Sequence, residues 1–143
     1  WLVVKHMLIN QKFNKAHSRR TIVNIISNAS HKPMTLSAAY NASKGAAHIL
    51  TLQMARELMR EHGITVFGVS PNRLRGTQMS KQVDARVATL RGKNVQQVWM
   101  DQVAEMPAGT ETDPETCAEF IAYLLSNFER HRYLHGTVIP YGA

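Results

Sequence analysis

Tyr40 and Lys44 stand four residues apart, and Ser27 precedes the tyrosine by thirteen positions at the end of an apolar run. On a helix a separation of four is about one turn, so the phenol and the ammonium project from one face and can approach each other. A free phenol titrates near pH ~10 and is a poor base at neutrality, but a neighbouring positive charge favours its anion. With Lys44 as that charge, Tyr40 can give a proton to a carbonyl oxygen as hydride reaches the carbon, or take it back in the reverse direction. Ser27 would hold the same oxygen by a hydrogen bond. Four tyrosines and seven lysines produce about 0.2 such pairs by chance, so the surrounding elements must carry the argument.

Those elements follow in order along the chain. Residues 21–26 are β-branched and almost continuously apolar, as in a strand buried on both faces of a parallel sheet, and they put Ser27 at the carboxyl end. Residues 28–33 read as a loop from their polar and proline content. A helix is predicted over residues 37–61, with Ala42, Ala46, Ala47, Ile49 and Leu50 as small or apolar packing positions and His62-Gly63 as its stop. Residues 64–70 predict a second buried strand, and strand, helix, strand makes a parallel crossover. Ligands in open α/β sheets bind beyond the carboxyl ends of the strands, where Ser27 and the loop from Pro71 both lie.

Beyond that loop, residues 79–106 form one amphipathic stretch with apolar points at Val83, Val87, Leu90, Val95, Val98, Trp99 and Val103. Ala108-Gly109-Thr110 reads as a linker. Asp113 is the expected N-cap of a helix through Leu125, with Pro114 at its first position and Glu115 beside its amino end. A short last strand is predicted over residues 137–139.

Taken together, these segments resemble the short-chain dehydrogenase/reductase family. The residues that carry the resemblance are Ile22-Val23-Asn24-Ile25-Ile26-Ser27, Tyr40-Asn41-Ala42-Ser43-Lys44, Gly63-Ile64-Thr65-Val66, Ser70-Pro71-Asn72, Gly76-Thr77-Gln78-Met79 and His135-Gly136-Thr137-Val138-Ile139-Pro140. The resemblance implies an α/β, Rossmann-like, doubly wound parallel sheet and an oxidoreductase using NAD or NADP on a small-molecule carbonyl or alcohol. It implies Ser27, Tyr40 and Lys44 as catalytic residues, with Tyr40 the general acid/base and Ser27 orienting the substrate oxygen. Tyr40, Lys44, Pro71, Asn72 and Thr77 are the implied cofactor contacts, Lys44 on the nicotinamide ribose. Ser27, Asn28 and Met79 are the substrate-binding candidates, and the stretch from Met79 would be a helical lid. A homo-oligomer of the complete enzyme is also implied.

The chain departs from the family pattern at several points. Ile26 stands where relatives carry the first of two serines, and Asn72 replaces a glycine while still tolerating a left-handed backbone. The loop to Thr77 is about one residue longer than usual. Tyr141-Gly142-Ala143 replaces an acidic residue and two glycines, which puts the family's carboxyl-terminal subunit contact in doubt. The eight glycines form no Gly-x-Gly-x-x-Gly array of the kind that meets a pyrophosphate at a helix amino end. Because the chain begins at Trp1 inside a helical pattern, residues 1–143 are expected to be a single partial domain, the carboxyl-terminal half of the family fold, inactive alone. The fourth catalytic residue would then precede Trp1.

Composition frames the other readings. Residues 1–56 hold eight Lys/Arg and no carboxylate, and the remainder nine against ten, so the parts carry +8 and −1 in a chain of net charge +7. Such a basic block could suit nucleic acid. Its cations Lys5, Lys12, Lys15, Arg19 and Arg20 lack interleaved stacking aromatics, so a solvated face is expected instead. A catalytically silent binding or dimerising module of the same fold is the main alternative to an enzyme. The single Cys117 excludes an internal disulfide, reads as core and fits a reducing compartment, with cytoplasm as the expected location. No apolar run is long enough to span a membrane. Asn28 and Asn41 match glycosylation patterns by coincidence. His131 and His135, four apart, are expected on the surface, and no metal site is expected.

Overall fold

β-Branched and aromatic side chains fit a pleated surface, and a strand with few polar groups can lie between two layers. Residues Ile64–Pro71 (β2) do this and are buried at every position. The computed structural model describes residues 1–10 and 20–142; Lys12, Lys15, Arg19 and Ala143 lie outside the described residues. β1 (Arg20–Ile25) pairs parallel with β2 from Arg20 opposite Ile64 to Ile25 opposite Val69. β3 (Val138–Tyr141) pairs parallel along the other edge, from Val138 opposite Gly68 to Tyr141 opposite Pro71. The sheet order is β1-β2-β3.

Successive strand side chains point to opposite faces, and helices cover both. On one face α1 (Leu2–Asn10) and α2 (Ala38–His62) bring Val4, Leu8, Met54, Ala55 and Leu58 against Ile22, Ile64 and Val66. On the other, Phe120, Ile121 and Leu124 of α5 (Pro114–Ser126) pack on Val23, Phe67, Val69 and Ile139. This is the doubly wound arrangement expected from the sequence. Val66, Phe67 and Val69 are fully buried, and each contributes about 1.5–3 kcal/mol. Inside β1, Asn24 Nδ2 donates to Thr51 Oγ1 of α2 at 2.9 Å, whereas the buried Thr21 hydroxyl has no hydrogen-bond partner among the described residues.

Element ends follow local chemistry. Gly63 closes α2 with φ 64, its N–H reaching the carbonyls of Leu58 and Met59. The stretch predicted as one amphipathic unit over residues 79–106 is two helices, α3 (Gln78–Arg91) and α4 (Val95–Ala104). Gly92 ends the first in a left-handed turn (φ 59) and Asn94 caps the second by accepting from the Gln96 N–H. Asp113 caps α5 as predicted, its carboxylate accepting from the Thr116 N–H and hydroxyl at 3.0 Å each. The four-residue α6 (Phe128–His131) and a 3-10 turn over Arg132–Leu134 lead into β3. Here the surface assignment of two histidines is corrected. His131 is half-buried with its ring 5.2 Å from that of Tyr123, and His135 Nδ1 accepts from the Val66 N–H at 3.1 Å. Cys117 is buried, and burial raises its thiol above the ordinary value. Tyr141 stacks on Phe120 at 4.8 Å and donates to the Thr116 carbonyl, so this tail residue serves the inner packing of α5.

Gly68 sits where the side chains of both neighbouring strands close over β2. A Cβ there would lie 2.6 Å from Ile26 Cδ1 and 3.1 Å from Val138 Cγ2. Gly68→Val should therefore destabilise the fold by about 1–3 kcal/mol, read as a lower urea midpoint; an unchanged midpoint would mean that Ile26 and Val138 simply swing away. The Asp113 carboxyl is held below its ordinary value by the Thr116 amide first, then by the Thr116 hydroxyl and the Arg75 charge. A lowered folded-state value contributes stability above the unfolded value, lost as pH falls toward the folded one. The stability gap between the parent chain and Asp113→Asn should thus hold from about pH 7 to about pH 5 and narrow as pH falls below about 4, and a gap of constant size down to about pH 2 would dismiss the charge's role.

Candidate active site

Two stripes of α2 meet the carboxyl end of β1. The first carries Tyr40 and Lys44, both half-buried. Lys44 Nζ lies 5.9 Å from the centre of the Tyr40 ring and 3.5 Å from the carbonyl oxygen of Ile25, the last residue of β1. The one-turn spacing read in the sequence does bring phenol and ammonium together. Beyond Ile25 the chain stays extended through Ser27 (φ 176), whose Oγ accepts from the Ala29 N–H at 3.2 Å and caps a 3-10 turn over Asn28–Ser30. A hydroxyl that accepts one hydrogen bond still has its own proton to donate.

The second stripe fastens the loop. Asn41 Nδ2 donates to the carbonyls of Ala29 (2.6 Å) and Lys32 (2.7 Å), while its Oδ1 accepts from the Met34 N–H at 3.3 Å. Asn41 lies in the first turn of α2 and spans the loop with one side chain. One turn on, Gly45 faces the Ser30 carbonyl, and Ser30 Oγ sits 3.2 Å from the Nδ1 atoms of both His31 and His48. An open depression of about 800 Å³ lies against this loop, lined by residues such as Ala29, Met34, Leu36, Ala39 and Asn41. Tyr40 and Lys44 are not in its lining, so the depression neighbours the proton-transfer residues and does not contain them. Leu36, on its rim, is the one non-glycine residue with positive φ (60) among the described residues.

Asn28 is buried between strands. Its Oδ1 accepts from the Ser70 hydroxyl at 3.1 Å, joining the ends of β1 and β2, and its Nδ2 has no partner. A buried amide N–H left unpaired is costly, and Asn28 carries that cost at the carboxyl end of the sheet. Pro71 ends β2, and Asn72 is tied to the tail through its N–H to the Tyr141 carbonyl and its Nδ2 to the Gly142 carbonyl, both 2.8 Å. The left-handed backbone tolerated at Asn72 is not used there; Gly76 takes it instead (φ 70). The Thr77 hydroxyl accepts from the Ser80 N–H and donates to the Leu74 carbonyl, so it is committed to starting α3. Of the expected lid residues, Val83 packs with Val87, Ala88 and Val98, whereas Met79 is 59% and Trp99 40% exposed. These three do not line a common pocket.

Arg73 is the centre that sequence reading missed. Its Nε donates to Glu111 Oε1, Nη1 to Asp84 Oδ1 (2.9 Å) and Gln102 Oε1 (2.7 Å), and Nη2 to Asp84 Oδ2 (2.5 Å) and the Ser80 carbonyl (3.5 Å). Burial alone would pull the guanidinium down, but the hydrogen bonds and charges of Asp84 and Glu111 hold it above its ordinary value. No spacing rule links position 73 to 84, 102 and 111. The only signal was an arginine directly after the strand-ending Pro71-Asn72.

Two groups at the β1 end keep donors that a hydroxylated ligand could meet. An ammonium has three N–H donors, and Lys44 directs one at Ile25. The Tyr40 hydroxyl makes no hydrogen bond among the described residues. Among the described residues no three His, Cys, Asp or Glu side chains gather as a metal site would require, and no helix is long and apolar enough to cross a membrane.

Comparison with known proteins agrees with this layout. L-2,3-butanediol dehydrogenase of Corynebacterium glutamicum is 28% identical over 130 residues, covering 91% of this chain and 49% of that protein. A short-chain dehydrogenase family protein of Francisella tularensis superposes with a TM-score of 0.80 at 25% identity, over 96% of this chain and 53% of the other. The L-sorbose reductase of Gluconobacter frateurii, solved with NADPH and L-sorbose, gives a TM-score of 0.72 at 20% identity over 89% and 47%; at that identity it speaks for the fold alone. The chain spans about half the length of the relatives it matches. The family model described as short chain dehydrogenase matches residues 1–88, and with the fold and these relatives it places the chain in the short-chain dehydrogenase family.

Proposed function

We propose that this chain carries the proton-transfer residues of an NAD(P)-dependent oxidoreductase that interconverts a small-molecule carbonyl and an alcohol. The 143 residues would belong to one such domain, working within a complete family fold that assembles as a homo-oligomer. The observation that carries the reading is Lys44, whose ammonium lies over the Tyr40 ring and 3.5 Å from the last carbonyl of β1, two residues before Ser27.

Each residue then has a task. A bound nicotinamide would supply hydride to the carbonyl carbon, or receive it in the oxidative direction. Tyr40 gives its phenolic proton to the substrate oxygen as that oxygen becomes an alkoxide, and reclaims it in the oxidative direction. Lys44 offsets the negative charge left on the phenol oxygen and offers its remaining donors to the ribose hydroxyls. Ser27 donates to the same substrate oxygen while its lone pair stays fixed on the Ala29 N–H, so the donor is aimed before substrate arrives. Asn28, through its unpartnered Nδ2, and Met79 at the start of α3 would border the substrate. Pro71, Asn72 and Thr77 would face the nicotinamide end, Thr77 through its backbone since its hydroxyl is engaged.

In the complete enzyme, Tyr40→Phe should lower turnover by about 100-fold or more and leave nicotinamide binding and the unfolding midpoint near their parent values. Steady-state rates with NADPH or NADH consumption as readout check this, and turnover within a few-fold of the parent enzyme removes Tyr40 from the role.

A further inference from the structure

The segment between Thr77 and Glu111 leaves the sheet as α3 and α4 and returns to it as the approach to α5. Its two ends meet at one place. Leu74 bridges Thr112 in parallel, the Arg75 N–H reaches the Thr112 carbonyl at 2.8 Å, and the Thr112 N–H reaches the Arg73 carbonyl at 2.9 Å. Arg75 Nη2 also contacts Asp113 Oδ1 at 2.5 Å. Over this neck lies the Arg73 guanidinium. It holds Asp84 of α3 through Nη1 and Nη2, Gln102 of α4 through Nη1 and Glu111 at the returning end through Nε.

We propose that Arg73 is a positioning residue that staples the α3–α4 excursion at its neck, so that the excursion is held in one arrangement over the carboxyl end of the sheet before any ligand binds. Two facts point this way. The three charged side chains are 12%, 6% and 7% exposed, so solvent does little to compete for them. The guanidinium makes five donor contacts from three nitrogens spread across a rigid plane, a number and breadth that the three donors of one ammonium nitrogen or the two of a neutral amide do not match. Outside the staple, α3 and α4 hold each other through Val83, Val87, Ala88 and Val98, a cluster that joins the two helices but reaches neither β1 nor β2. Arg73 therefore decides how this helix pair sits on the rest of the molecule. Its importance to substrate specificity rests on the oxidoreductase reading above; the staple itself does not.

The test uses the full chain with Trp1→Phe, which leaves Trp99 on α4 as the sole tryptophan of the two. Arg73→Gln should raise amide hydrogen exchange across residues 78–104 by about tenfold or more, while residues 45–70 stay within about twofold. Trp99 emission should shift to the red and become more open to acrylamide. Arg73→Lys should rescue neither signal, because the three donors of an ammonium radiate from a single nitrogen and do not reproduce the fork that spans Asp84, Gln102 and Glu111. Should Arg73→Gln fail to fold, Glu111→Gln carries the test by loosening residues 95–113 more than residues 78–91. Unchanged exchange, an equal rise along the whole chain, or full rescue by lysine would each overturn the staple. No cofactor or substrate enters these measurements, so their outcome stands apart from that of the Tyr40 experiment.

Discussion

The structure depends on one strand being dry on both faces. β2 is buried from Ile64 to Pro71, and each layer of helices finds its apolar partner there. A strand in that position cannot host charge along its length without a large desolvation cost. Polar chemistry is therefore displaced to its carboxyl end, where the chain emerges from between the layers. Asn28 and Ser70 meet there, Arg73 gathers its carboxylates just beyond, and Lys44 finds the terminal carbonyl of the neighbouring strand. The location of the candidate site is thus a result of the core, independent of what the site does.

The same constraint explains what could be read from the sequence. Strands buried on both faces leave continuous apolar runs, so β1 and β2 were located to within a residue. Tyr40 and Lys44 were legible because a helix turns a spacing of four into a contact, and Asp113-Pro114 because N-caps are local. Interactions that close over long separations left no comparable trace. Arg73 with Glu111, Asn24 with Thr51 and His135 with Val66 join positions that only the assembled fold brings near. The break between α3 and α4 was missed for a different reason: apolar points continue across Gly92, and period alone does not record a turn that lies between them.

Around the candidate site the balance is similar. Ser27 was expected for its hydroxyl, and the hydroxyl is already held by Ala29. A strand-end serine that bonds its own loop and a serine that orients a substrate are commonly treated as rival readings. Here the loop bond consumes a lone pair and leaves the proton, so the first arrangement prepares the second. Asn41, given no structural task in the sequence reading, makes three hydrogen bonds to the loop.

The narrow neck at Leu74 and Thr112 has a consequence for how such a protein can diversify. Among the described residues, the two ends of the α3–α4 excursion are joined by a two-residue bridge and by the groups clustered over it. Changes of length or sequence beyond the neck need not propagate into the strands, since no strand takes its register from those helices. The excursion is in this sense an interchangeable part on a fixed socket. New shapes could be tried over the same proton-transfer residues, provided the socket's acceptors for one arginine are kept.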